Sequence, residues 1–215
     1  MRGRTKGTRG RIVATARSVF NREGYGAVTT ASLAQACGIA EGNLWYHFRT
    51  KRDLLQAIAE EFAESIEQRL QRQPDPADPL GSYCAMLSEL MRELRDYRFL
   101  YRDQPHYGEH VEPIASKVAS WLVRTEDRFE SHLDALVDAG LLAWPKERLR
   151  DLATNATIIL RYGLEHFTEL GEPRGAVRRT LLRHLTLFED ALQPEAAGGI
   201  RAAIERIGEE VRAAA

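Results

Sequence analysis

"GIAEGNLWYHFRTKRDLL" (residues 38–55) decides the fold of this chain. Trp45, Tyr46, His47 and Phe48 follow one another directly. Four consecutive helix positions point in four directions, so a core can absorb only some of these rings and the others must face outward. Leu44 and Phe48, four apart, share a face and are expected to pack inward with Leu33 and Cys37. Glu41, Gly42, Asn43, Trp45, Tyr46 and His47 then spread over the outer faces. Gly38 stands where a tight turn needs positive φ, Ile39 follows as an apolar plug, and Ala34 is small where two helices must approach. Residues 30–48 therefore fit a helix-turn-helix, whose second helix enters the DNA major groove N-terminus first.

The outer residues suit that task. Asn43 can pair bidentately with an adenine edge. Gly42 lets backbone come close to the bases, and Tyr46 and His47 extend the face that Asn43 begins. Tyr, His and an indole N–H can bond phosphate oxygens. Lys51 opens the next helix, whose N-terminus also attracts phosphate. The competing bland reading is a small helical bundle with an aromatic corner.

Charge agrees with a polyanionic partner for this part of the chain. The whole 215-residue chain carries a net charge of −1, which by itself points to no partner. Residues 1–57, however, hold ten Lys and Arg against three acids, net +7, and the remainder is net −8. A basic first quarter on an acidic body points to a nucleic acid at the first quarter. The composition, 44% hydrophobic and 28% charged, is that of a globular chain able to bury a core. Cys37 and Cys84 are far apart and lack metal-ligand spacing, so they read as small apolar fillers in a reducing compartment. No apolar run is long enough to span a bilayer. The Arg-rich start superficially resembles a transit peptide, but its residues complete a folded domain. The expected location is the cytoplasm, with no membrane partner.

Outward from the opening stretch, apolar spacings of 3 and 4 predict an all-α chain. Helices are expected over 8–22, 30–37, 41–47 and 52–72, then near 79–95, 97–104, 111–139, 146–170, 174–192 and 195–212. Ile12, Val13, Ala16, Val19 and Phe20 form the stripe of the first. Thr29 and Thr30 can cap the second. "RQPDPADPLG" (72–81) packs three prolines into a hinge. The expected division is a helix-turn-helix domain over 1–53 and a larger helical domain over 54–215.

"FNREGYGAVTTASLAQACGIAEGNLWYHFRTKRDLLQAI" resembles the N-terminal domain of the TetR/AcrR regulators over roughly residues 8–62. The residues that carry the likeness are Phe20, Gly24-Tyr25, Thr29-Thr30, Gly38-Ile39, Leu44 through Phe48, and Lys51. The resemblance implies a homodimeric, all-helical regulator with a divergent second domain for effector binding and dimerisation. It implies a repressor that a small molecule releases from a double-stranded DNA operator, with no cofactor and no catalytic residues. Carried over by position, Thr30, Gly42, Asn43, Trp45, Tyr46, His47 and Lys51 contact DNA, with Glu41 beside them. The sequence departs from the family at Ala40, where Ser or Thr usually caps the recognition helix, at Trp45, where Tyr is usual, and at Asn43, where Thr is common. "YRFLYRDQP" (97–105) resembles a segment found in one subgroup of these regulators.

The rest of the chain is less specific. Tyr83, Met86, Met91, Tyr97, Phe99, Tyr101, Tyr107 and Trp121 gather in the middle region, where core packing is the plain reading. An apolar effector pocket is expected from a subset, with Met86, Phe99, Tyr101 and Trp121 as walls and Arg161, Tyr162 or His166 as polar anchors. Stripes through Ala156, Leu160, Gly163 and Phe167 and through Leu181, Leu185 and Phe188 read either as intramolecular core or as a seam. By the resemblance they are expected to form a four-helix dimer interface. "HYGEH" (106–110) fits H-x-x-E-H, and a metal-dependent hydrolase centred on His106, Glu109 and His110 is one alternative. Gly108 inside the segment and the flanking Pro105 and Pro113 argue for a turn, so no metal is expected. A sequence-neutral architectural DNA binder is the other alternative.

Overall fold

The computed structural model describes residues 7–103 and 112–213, and there the chain is helical apart from one isolated antiparallel bridge. The helices are α1 (Gly7–Glu23), α2 (Thr30–Cys37), α3 (Glu41–His47), α4 (Lys51–Leu70), α5 (Pro79–Asp96), α6 (Arg98–Arg102), α7 (Glu112–Asp138), α8 (Leu149–Glu169), α9 (Ala176–Leu185) and α10 (Pro194–Ala213). The HYGEH segment lies outside the described residues. The chain forms two compact units, residues 1–67 with 93–118, and residues 68–92 with 119–215. Compactness thus divides the chain differently from a boundary at 53/54. Most of α4 joins the first unit, because Leu54, Leu55, Ile58 and Phe62 are all buried.

In the first unit α1 buries Ile12, Val13, Ala16, Val19 and Phe20, the expected stripe. A reciprocal capping box starts α2: Ser32 N donates to Thr29 Oγ1 and Thr29 N donates to Ser32 Oγ, both at 3.1 Å. Gly38 ends α2 at φ 65°, a conformation that any side chain would resist, and Ile39 N donates back to Ala34 O. Thr50 and Asp53 cap α4 in the same reciprocal way. The last turn of α1 is then tied to α6. Phe20 packs 5.3 Å from Phe99 between ring centroids. Asn21 accepts from Phe99 N at 2.9 Å and donates to the carbonyls of Asp96 (2.8 Å) and Arg95 (3.3 Å). Arg102 donates to the carbonyls of Asn21 and Phe20 at the end of α1, the latter also accepting from Gly24 N. Asp103 accepts from Tyr25 N at 2.7 Å and pairs with Arg102 at 2.6 Å.

In the second unit Tyr83, Leu87, Phe129, Leu133, Leu160, Leu181, Ile200 and Ile204 are fully buried. Helices α8 and α9 approach so closely that a Cβ on Gly163 would lie 2.5 Å from Thr180. Two expected helices are shorter than their apolar patterns. A 3-10 turn over Lys146–Arg148 precedes α8, because Pro145 holds extended backbone. The helix expected over 174–192 ends at Leu185. Beyond it, residues 186–192 continue in short local turns, with a 3-10 turn over Glu189–Ala191, and the end of the stretch also pairs with a distant segment: Ala143 N donates to Ala191 O and Gln193 N donates to Leu141 O.

Candidate nucleic-acid interface

Helices α2 and α3 bury Leu33, Ala34 and Leu44, and Phe48 closes the end of α3. Arg9 lies over the Phe48 ring at 4.7 Å. With this side of α3 anchored, the opposite side is presented. Tyr46 is 85% exposed and Trp45 38% exposed, so Trp45 is partly covered where Tyr46 is not. Gly42 and Asn43 are exposed, and a Cβ on Gly42 would meet nothing within 4 Å. His47 is half-buried, its ring edge-on to Tyr46 at 5.2 Å. Gly42, Asn43 and Tyr46 therefore make an open ridge at the start and outer face of α3.

Three placements go beyond the sequence reading. Ala40 offers α3 no side-chain cap. Glu41 instead supplies an acid in the first turn, where the helix dipole favours it. Its carboxylate also accepts from Thr30 Oγ1 at 2.9 Å, joining the first turns of α2 and α3. Lys51 donates to the carbonyls of Tyr25 and Val28, the latter at 2.5 Å, and its ammonium sits 4.3 Å from the Tyr25 ring centroid. It holds the loop between α1 and α2, and its partial burial lowers its pKa. The Asn21–Arg102–Asp103 tie is the third, and its only trace in the sequence is the "YRFLYRD" segment.

The residues named for an effector pocket do not converge within either unit. Phe99 and Tyr101 belong to the first unit, Phe99 against Phe20 and Tyr101 edge-on to Phe62 at 5.5 Å. Met86 and Trp121 are buried in the second unit, whereas Tyr162 is 58% exposed and His166 is exposed. The stripes expected to form a dimer seam are used inside the chain. Ala156, Leu160 and Leu181 are fully buried, Leu185, Phe188 and Phe167 nearly so, and Gly163 is the point where α8 meets α9. Within the single chain, then, these side chains are already packed.

Among the described residues no group of three or more His, Cys, Asp or Glu could hold a metal ion, and no helix is long and apolar enough to cross a membrane. Burial pushes the Cys84 thiol up to about 11, which keeps it protonated and unreactive at neutral pH.

A short helix pair with a glycine turn, its inner face buried and an open polar and aromatic ridge on its second helix, defines a helix-turn-helix protein of the kind that reads duplex DNA. The family model described as bacterial regulatory proteins, tetR family, matches residues 12–58, and the TetR model described as bacterial transcriptional repressor matches residues 61–198. The chain belongs to the TetR family, whose members are DNA-binding regulators and not enzymes. Membership of this family overturns the alternative of a metal-dependent hydrolase centred on residues 106–110.

The HTH-type transcriptional regulator TtgR of Pseudomonas putida is 30% identical over 89 residues, 40% of this chain and 42% of that protein. The matched stretch thus spans about two fifths of the length of this relative. Among solved structures, a TetR-family transcriptional regulator of Marinobacter aquaeolei VT8 superposes with a TM-score of 0.69 at 23% identity, covering 94% of this chain and 99% of that one. A gamma-butyrolactone receptor described as ArpA-like gives 0.63 at 18% identity, covering 94% and 97%. Both share the fold.

Proposed function

We propose that this protein is a sequence-specific transcriptional regulator, a homodimer that holds a palindromic operator through two copies of α3 and is released by a small-molecule effector. The observation that carries this is the ridge of Gly42, Asn43 and Tyr46, open along α3 while Leu44 and Phe48 anchor its back. Asn43 and Tyr46 read base edges, and Gly42 lets the backbone sit close to them. His47 and Trp45 bond phosphate oxygens. Lys51 has three N–H donors, two of which go to loop carbonyls; the third serves a phosphate. Thr30 and Glu41 set the angle between α2 and α3.

Pairing with a second copy is assigned to the outer stripe of α8. Ile158 is 52% exposed and Tyr162, one turn on, 58%, an apolar face that the chain's own core does not use. One helix-turn-helix makes too few base contacts for a unique site, and two-fold pairing doubles them. That a protein of the same fold is described as a gamma-butyrolactone receptor supports a small-molecule effector here. Gly42→Val tests the reading. Its side chain meets nothing in the free protein, so the fold should be kept while groove entry is blocked. Normal DNA affinity in that variant would contradict the placement of α3 in the groove.

A further inference from the structure

The second unit buries two histidines that DNA recognition does not use. His132 on α7 is 2% exposed and His184 on α9 is fully buried. Both rings lie against Tyr83 of α5, at centroid distances of 6.5 and 6.2 Å. The Tyr83 hydroxyl and His184 Nε2 are 2.6 Å apart, and Phe129 and Phe188 pack 5.9 and 5.4 Å from the His184 ring. Neither ring nitrogen of His132 has a hydrogen-bond partner, nor has Nδ1 of His184, nor Oγ1 of Thr180 one turn earlier on α9. Buried polar atoms are normally paired, because leaving them unpaired costs stability. Three such nitrogens on two imidazoles that both lie against Tyr83, with a fourth unpaired atom one turn away on α9, mark a place built for something other than packing.

We propose that the His132–Tyr83–His184 cluster is the polar end of an effector site, and that it takes a small, uncharged, mostly apolar molecule bearing one hydroxyl or carbonyl oxygen. The inference rests on the regulator reading and names the effector class for it. Burial holds both imidazoles neutral, pushing His132 down to about 4 and His184 to about 3. A neutral imidazole offers one N–H donor and one acceptor nitrogen, which a hydroxyl satisfies from either side and a carbonyl from one. The rings of Phe129 and Phe188 suit an apolar body. A charged ligand would need a counter-charge at the imidazoles themselves; the buried Arg69 is bonded to Thr125, two turns before His132 on α7, and the charged group that acts on His132 is Arg128, whose guanidinium is bonded to Gln73 near the surface. A ligand held there acts on the protein only by its differential affinity for the states it binds.

The test uses the full-length protein and phenol as probe, with toluene, benzoate and benzylammonium for comparison. Binding is measured by calorimetry, and the histidine nitrogens are followed by 15N NMR. Phenol should bind saturably and move the His132 nitrogen signals. Toluene should bind about tenfold or more weakly, having no hydrogen-bonding group. The two ions should not bind. His132→Leu should weaken phenol to the level of toluene while raising the melting temperature of the free protein, since two unpaired polar atoms leave the core. The proposal is overturned if phenol does not saturate, if it binds His132→Leu as well as wild type, or if the free protein's His132 nitrogens prove to be hydrogen-bonded to structural water and unaffected by phenol. DNA binding of the ligand-free protein is measured on the same preparation. Its absence would remove the regulator reading and leave the phenol result to stand on its own.

Discussion

Asn21 offers the sharpest test of how the first unit is held together. Its side chain satisfies three backbone groups at once: the N–H of Phe99 and the carbonyls of Arg95 and Asp96. Asn21→Ala removes all three bonds at a half-buried site. Each such bond contributes about 0.5–1.5 kcal/mol net. The longest, to Arg95 O at 3.3 Å, belongs at the lower end. The expected loss is therefore about 2–3 kcal/mol, or roughly 4–12 °C in melting temperature for a chain of this size. The control is the next residue. Arg22 is exposed and pairs with Glu23 at the surface, so Arg22→Ala should cost less than about 0.5 kcal/mol. Urea unfolding followed by circular dichroism, with calorimetry alongside, measures both variants. If Asn21→Ala loses no more than Arg22→Ala, water serves those backbone groups equally well and the tie between α1 and α6 is not a structural one.

Other consequences are open to direct measurement. Lys51→Met should lower stability, because the carbonyls of Tyr25 and Val28 lose their donor, and should weaken binding to all DNA sequences alike while reducing the salt slope by about one; a salt-independent loss would limit Lys51 to its structural role. Tyr162→Glu with Ile158→Glu should give a folded monomer by sedimentation, whereas Leu160→Glu should unfold the second unit; a dimer in the first variant would exclude the outer face of α8 as the interface. In acid, the unfolded chain protonates its histidines near 6.5, while folded His132 and His184 resist until about 4 and about 3. The unfolded state then binds more protons, so stability falls as pH drops from about 6.5 toward those values and is fully present above that window. His132→Leu should move the acid-unfolding midpoint to lower pH, and an unchanged midpoint would contradict the burial of a neutral imidazole there.

What was legible in the sequence was what local spacing dictates. Leu44 and Phe48 had to turn inward, Gly38 had to adopt positive φ, and the α1 stripe named its own core residues; the structure agrees on each. Long-range pairings had no local signal. Lys51 reads as a phosphate ligand until loop carbonyls 23 and 26 residues away are seen to hold it. The pairing of Ala191 and Gln193 with residues 143 and 141 is likewise a long-range contact that no propensity nearby announces. The stripe through Leu160 and Phe188 shows a different limit: an amphipathic helix carries the same pattern whether its partner lies in its own chain or in a second copy. The exposed pair proposed to meet a second copy, Ile158 and Tyr162, is short and mixed with polar residues, so Tyr162 reads in the sequence as a pocket anchor instead. His184 shares a place with Leu185 in an apolar stripe, where one buried histidine is normally a satisfied core residue, and its unpaired Nδ1 is a property of three-dimensional packing alone.

Selection of bound duplexes from a random-sequence DNA library tests the central claim most directly. Wild-type protein should enrich one two-fold symmetric site whose half-sites lie about one helical turn, roughly 34–36 Å, apart. On that site Asn43→Ala should lose about 1–3 kcal/mol of affinity and tolerate any base at one position in each half. Enrichment of no motif, or of one that Asn43→Ala reads as well as wild type, would contradict sequence reading by α3.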